Sequence, residues 1–488
     1  MPPRCRMHQP AAVLFPLALL LGGSPRAYGA CTLVPQTTTS VESAFRSCDP
    51  SSPAFTLDPR QGVVTVLSTG SAVFRPCSGG ANDGLPCNRP EDCPGTCRGG
   101  FALQDGDHVF FLGDSNTAEG GFQRVSESYT LLRFPTRHVT FTNVGVGGET
   151  ATGGAQRVAA DVIGKGATVV VVTYGINDFL HCYVEPDPPS CFASAQRGFT
   201  DALVSIINQC KAARVRVYLS SYPVLGLGDA VNDELQTFGD IARDVAILSG
   251  EGSVDVHRVM RAVVGSDPAR GLITTSTDVA GFPGLHLNDV GQQLWAYALV
   301  KELGAPAEVS SVTVNATMLT GSASGATLSG IAGNPSAVRF TRLDQGLPVT
   351  FGPPAERWGI GFIPWENINA YRLTVTDLEA GTYEIRVGGL LLGSRTSTQL
   401  ADGIDIANLQ PEAWGKGGPW VVQGMAIHQI VGGRQAVADG DRPLAELSHP
   451  KDLQLTTWHA EAQVKLNDIL HATAAPYPYT FEVRRAGP

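Results

Sequence analysis

Four short blocks of this chain carry the residue types that nucleophilic catalysis needs. They are Gly113-Asp114-Ser115-Asn116, the run from Asn143 through Gly148 to Thr150, Gly175-Ile176-Asn177-Asp178, and His286-Leu287-Asn288. A serine hydroxyl is a weak nucleophile: it needs a base within hydrogen-bond reach, and donors aimed at the oxyanion that forms after attack on a carbonyl. Ser115 and His286 meet the first need. The backbone N–H groups of Ser115 and Gly148, with the side-chain amide of Asn177, meet the second. Each block alone is ordinary, since turn serines cap helices and turn asparagines shape loops; four in sequence order make the catalytic reading. Asp114 and Asp178 read as holders of loops that accept backbone N–H bonds. His257, after Asp255, reads as a surface or satisfied histidine. No His–Glu pairing of the zinc-protease kind occurs, and Gly145 to Gly148 is not followed by Lys-Ser/Thr, so a phosphate loop is not expected. The chemistry needs no metal and no organic cofactor.

All four blocks follow or precede elements that would gather them on one edge. Between residues 105 and 304 short apolar runs (109–112, 139–141, 168–173, 215–219, 254–256) alternate with helical patterns such as 155–163 and 199–213. This is the signature of βαβ units and a parallel sheet. The β-branched run at 168–173 predicts a strand buried on both faces. A last helix is expected from Asn288 as N-cap to Gly304. In an open α/β sheet ligands bind outside the carboxyl ends of the strands, where Ser115 would sit.

Beyond 304 the pattern changes to Ser/Thr/Gly-rich stretches and period-two runs. Thr382 to Val387, Gly388-Gly389 and Leu390-Leu391-Leu392 read as a hairpin. A β-rich, mostly antiparallel C-terminal domain is therefore expected over 305–488. Trp358, Trp365, Trp414 and Trp420 within it are candidates for stacking on sugars, with core packing the ordinary role of a tryptophan.

The four blocks resemble the SGNH hydrolase superfamily, the GDSL-type esterases and lipases, over roughly residues 107–304. The resemblance implies a three-layer, flavodoxin-like α/β domain, with Ser115 as nucleophile, Ser115, Gly148 and Asn177 as the oxyanion hole, and His286 as general base. It further implies hydrolysis of esters of lipids, small acyl groups or acetylated sugars. The stretches 369–375, 381–383 and 400–407 resemble the β extension of some secreted members. Members usually carry Asp three residues before the histidine; this chain has Pro283 there. Three outcomes stand open: Asp278 supplies the carboxylate, a backbone carbonyl holds the Nδ1 proton in a Ser-His dyad, or the site is impaired and the protein binds carbohydrate or a surface instead. The expected partner is an ester substrate such as an acylated polysaccharide, with lipid or small soluble esters as the alternative.

The rest of the sequence speaks to compartment and partners. Arg4 and Arg6 precede an apolar run from Ala11 to Leu21 and small residues up to Ala30, the succession of a secretory signal peptide over 1–30 cleaved near Ala30. The run is too short to span a bilayer. Anchoring through a lipid on Cys31 is the alternative to free secretion. Losing the three arginines of this segment takes the net charge from −10 to −13. An acidic chain without a basic cluster excludes nucleic acid as a partner. Ten cysteines suit an oxidising compartment. Cys77, Cys87, Cys93 and Cys97 lie in a module at 77–97 within an irregular arm, 31–104, and read as two disulfides, with a four-thiolate zinc site as the competitor. Cys182 with Cys191 and Cys31 with Cys48 read as further bridges, leaving Cys210 as a buried thiol.

Overall fold

A computed structural model describes residues 75–78, 86–87, 96–97, 101–265, 271–275, 283–350, 362–412, 417–444 and 450–487. The expected signal peptide, Cys31, Cys48, Cys93 and Asp278 lie outside these residues. Three short strands, β1 (Arg75–Ser78), β2 (Pro86–Cys87) and β3 (Thr96–Cys97), form an antiparallel sheet in the order β2-β1-β3, with Cys77 opposite Cys97 in the register.

The described chain divides into two compact units. One runs up to Gly121 and from Thr140 to Ala305; the other holds Phe122–Val139 and everything from Pro306 on. The first is built on β4 (His108–Gly113), β5 (Thr140–Asn143), β6 (Val169–Thr173), β7 (Arg216–Ser220) and β8 (Gly252–Val254). All neighbours are parallel, in the order β5-β4-β6-β7-β8. That is the flavodoxin-like order, whose direction of winding reverses between the first and third strands, β4 and β6. Every residue of β6 is buried, as its unbroken β-branched run predicts.

Helices Ala151–Asp161, Pro188–Ala212, Asp229–Ser249, Val256–Val264 and Asp289–Glu302 connect and flank these strands. The helix expected at 199–213 starts eleven residues earlier, where Asp187 accepts from the Ser190 amide and Pro188 occupies the first turn. The strand expected at 254–256 ends at Val254: the Asp255 carboxylate accepts from the Arg258 N–H and opens a helix instead. Asn288 caps the last helix through the Gly291 N–H, 3.0 Å away.

In the second unit, β9 (Glu308–Asn315), β10 (Thr320–Ser324), β11 (Ala326–Asn334), β12 (Ala337–Asp344), β13 (Ala370–Thr376), β14 (Thr382–Val387), β15 (Leu390–Thr396), β16 (Ile404–Asp405) and β17 (Tyr479–Arg485) make two sheets, β10-β9-β13-β16 and β11-β12-β17-β14-β15. Among the described residues of this unit, only β9 and β13 pair in parallel. Gly388 and Gly389, both at positive φ, close the β14–β15 hairpin. Two long helices, Pro419–Leu444 and Pro450–Ala474, also belong to this unit, although a β-rich domain was expected. The first contains four glycines, each worth about 1 kcal/mol against helix; burial of Trp420, Val421, Ile427 and Val431 outweighs them. Trp365 and Trp420 are core residues, and Trp420 donates to the Ala407 carbonyl at 2.8 Å; neither is a platform for a sugar. Trp358 and Trp414 lie outside the described residues. Among the described residues, no helix is long and apolar enough to cross a membrane.

Candidate active site

Strand β4 delivers the first block. It ends at Gly113, and Asp114 caps the short helix Ser115–Ala118 by accepting from the Asn116 N–H at 3.1 Å. Ser115 is the first residue of that turn, a position whose N–H has no acceptor within a helix. His286 arrives from a loop tied down on both sides. The Thr275 N–H donates to the His286 carbonyl (2.9 Å), the Gly226 N–H to the Gly284 carbonyl (3.0 Å), and Leu287 bridges to Thr274. His286 Nε2 lies 2.9 Å from Ser115 Oγ. Burial moves the imidazole pKa below its ordinary value, which keeps the ring neutral and able to take a proton. Pro283 sits in an exposed turn. Among the described residues the His286 ring hydrogen-bonds to Ser115 and to nothing else, so neither a described carboxylate nor a described carbonyl holds Nδ1.

The second block follows β5. Asn143 Nδ2 donates to the Thr117 and Ala118 carbonyls (2.9 and 3.1 Å), its Oδ1 accepts from the Gly145 N–H (2.8 Å), and the Val146 N–H donates to the Gly113 carbonyl (2.9 Å). This loop is thereby fastened to the turn that carries Ser115. Contact is close enough to demand glycine at 145, where a Cβ would lie 2.4 Å from the Ala118 nitrogen. Gly148, at φ +74°, is exposed at the loop's far end. Next to it the Glu149 carboxylate is clasped by Arg157 (2.7 and 2.6 Å) and by the Tyr174 hydroxyl (2.5 Å).

The third block completes the site from β6. Asn177 Nδ2 donates to the Glu149 carbonyl at 3.0 Å and approaches Asp114 Oδ2 at 3.4 Å. The amide therefore spans from the residue after Gly148 to the residue before Ser115. Among the described residues the N–H groups of Ser115 and Gly148 have no acceptor, and each belongs to a loop that the hydrogen bonds of Asn143 or Asn177 tie to the others. Asp178 caps the helix Ala151–Asp161 by accepting from the Ala151 N–H at 3.1 Å. Burial pushes both Asp114 and Asp178 up to about 7, which lessens the negative charge that would oppose an oxyanion here.

Several residues of this site carry no sequence signal. Glu149, Arg157 and Tyr174 are separated by eight and seventeen residues, and Tyr222 reaches Asp114 (2.8 and 2.9 Å) from the end of β7. His257 is fully buried rather than on the surface. Its Nδ1 bonds the Tyr222 carbonyl (2.9 Å), its Nε2 has no partner, and burial takes its pKa down to about 4. Cys182 and Cys191 are bonded as a disulfide, and Cys210 is a buried free thiol pushed up to about 12. His181 stands with these two cysteines in a cluster of metal-binding type, but the disulfide takes up both sulfurs.

Ser115 and His286 are thus in contact, with the loops that follow β4, β5 and β6 supplying the blocks singled out in the sequence. Residues 111–294 match the GDSL-like lipase/acylhydrolase family. The chain carries a GDSL-like hydrolase domain. That domain is an ester hydrolase by family. No curated protein matches the chain. Among solved structures, the gut microbial diltiazem-metabolizing enzyme BT4096 is similar with a TM-score of 0.69 at 19% identity, over 79% of this chain and 98% of that one. The likeness is one of fold and extends past the GDSL-like domain into the C-terminal unit. Two shorter structures align over 42% of this chain. LAE5, an alpha/beta hydrolase from the metagenome of Lake Arreo, has a TM-score of 0.35 at 22% identity over 98% of its own chain. The acetylxylan esterase Axe2 of Geobacillus stearothermophilus has 0.35 at 20% over 96%.

Proposed function

We propose that this protein is an exported serine esterase working by acyl transfer through Ser115 and His286. The carrying observation is the 2.9 Å contact between Ser115 Oγ and His286 Nε2. His286 takes the Ser115 proton as Oγ attacks the ester carbonyl carbon. The resulting oxyanion is met by the N–H groups of Ser115 and Gly148 and by Asn177 Nδ2. The imidazolium then gives its proton to the departing alkoxide. Water, deprotonated by the same ring, cleaves the acyl-enzyme and releases the acid. Export is supported by the basic, apolar and small-residue succession of the first thirty residues and by the Cys182–Cys191 disulfide.

The substrate reading is an O-acylated polysaccharide. Beyond the helix Ile176–Phe179 that carries Asn177, His181, Glu185, Asp187, Ser190 and Ser194 line an open cleft of about 540 Å³. These polar groups can meet sugar hydroxyls, while Pro186, Cys191 and Ala195 add an apolar wall of similar extent to the same cleft. The test has two stages. A fluorophosphonate labels wild type and spares folded Ser115→Ala; absence of labelling in folded wild type would move the assignment to a carbohydrate-binding protein on a hydrolase fold. Release of acetate from acetylated xylan is then compared with release of long-chain acid from lipid, and faster release from lipid would overturn the polysaccharide assignment.

A further inference from the structure

With Pro283 in place of a carboxylate, something else must orient the base. The side chain of Asn116, next to the nucleophile, is fully buried and grips the backbone on both sides of His286. Its Nδ2 donates to the Leu285 carbonyl at 3.1 Å, and its Oδ1 accepts from the Leu287 N–H at 3.2 Å. The second Nδ2 hydrogen goes to the Tyr222 hydroxyl at 3.0 Å, which in turn donates to the buried Asp114 carboxylate. Asp114 also accepts from Asn116's own N–H. The amide can sit only one way round, because turning it over would set NH₂ against the Leu287 N–H and oxygen against the Leu285 carbonyl. An aspartate at 116 would lack the donor for Leu285, and an aliphatic residue would offer neither group.

We propose that Asn116 is the positioning residue for the base: backed by Tyr222 and Asp114, it fixes His286 against Ser115 through the backbone of residues 285–287, in place of a carboxylate at position 283. This rests on the Ser115–His286 reading above. Nucleophile and clamp are consecutive residues of one turn, so the distance between Ser115 and the imidazole is set through a single peptide unit. Asn116 touches no substrate, and its loss acts on the chemical step rather than on binding. A loosened imidazole also gains water, which moves its pKa back up toward the ordinary value.

The test uses the full chain on an aryl acetate, with kcat and KM followed from pH 5 to 9 for wild type, Ser115→Ala, Asn116→Leu and Tyr222→Phe. Asn116→Leu is expected to lose about 10- to 100-fold in kcat, to keep KM within twofold, and to show an acid limb at higher pH than wild type. A kcat within twofold of wild type with an unmoved acid limb would overturn the proposal. Should Asn116→Leu not fold by circular dichroism, Tyr222→Phe decides with the same two readouts. A threefold or greater loss of kcat with the same shift of the limb supports the clamp, and no change in either overturns it. Equal activity in wild type and Ser115→Ala removes the serine mechanism itself and the clamp with it, a result recognisably different from failure of Asn116 alone.

Discussion

Alanine at position 145 would place its Cβ 2.4 Å from the Ala118 nitrogen, 2.8 Å from the Ala118 Cα and 2.9 Å from the Asp114 carbonyl oxygen. All three are backbone atoms of the turn that carries Ser115, and none can rotate out of the way. Ordinary contact starts near 3.4 Å, so the loop has to retreat by about 1 Å. The N–H of Gly148, three residues on and one of the proposed oxyanion donors, moves with the loop. A displacement of about 1 Å in a catalytic group costs on the order of 100-fold in rate, or about 2.7 kcal/mol of barrier. Gly145→Ala should therefore lower kcat/KM on an aryl acetate by about two orders of magnitude and slow fluorophosphonate labelling alongside it. Gly147→Ala is the internal standard: a Cβ there meets nothing within 4 Å, and its kcat/KM should stay within about threefold of wild type, as a surface change does. If both variants melt at the wild-type temperature and hydrolyse at equal rates, the packing of this loop does not set the oxyanion hole and the reasoning fails.

Two further outcomes concern His286 and the Cys182–Cys191 bridge. Because burial disfavours the imidazolium of His286, kcat/KM should be full at neutral pH and fall as acid protonates the base, with a midpoint below the ordinary histidine value of about 6.5. A midpoint at or above that value in the pH profile would contradict a buried base. Replacing Cys182 and Cys191 together by serine opens a loop with a sequence separation of 9, worth about 2.5 kcal/mol on the chain-entropy estimate. Calorimetry without reductant should show a melting temperature lower by roughly 5–10 °C, and an unchanged one would mean that the bridge does not stabilise this unit.

What the sequence reveals depends on how local its cause is. The turn at Gly113 to Asn116, the β-branched run of β6 and the Asn288 cap are visible because neighbouring residues alone impose them. Asp255 was hidden by a rival local signal, two valines flanking a residue that caps a helix more readily than it continues a strand. Asn116 looked like a turn former because its partners, Leu285 and Leu287, stand 169 and 171 residues away, beyond any periodicity. The helices at Pro419–Leu444 and Pro450–Ala474 escaped for a related reason: the glycines of the first argue against helix, and what overrules them is burial by residues remote in sequence. The clasp of Arg157 and Tyr174 on Glu149 is of the same kind, three polar residues that acquire meaning only once β5 and β6 converge.

The stretch Phe122–Val139 follows the Ser115 turn in sequence yet groups with the C-terminal unit. The buried Glu127 carboxylate pairs with Arg434 at 2.5 Å across 307 residues of chain. At a ribosome adding about 5–20 residues per second, the guanidinium emerges roughly 15–60 s after the carboxylate. Through that interval the nascent chain gains the remaining three blocks, at 143–150, 175–178 and 286–288, while it holds a segment that cannot settle, since a carboxylate buried without its counter-ion is strongly unfavourable. Chain made 307 residues later therefore completes the surroundings of this segment. A product truncated before Arg434 would carry Ser115 and His286 yet leave the Glu127 carboxylate without its counter-ion, so both proposed reactive groups are made before this unit is able to close.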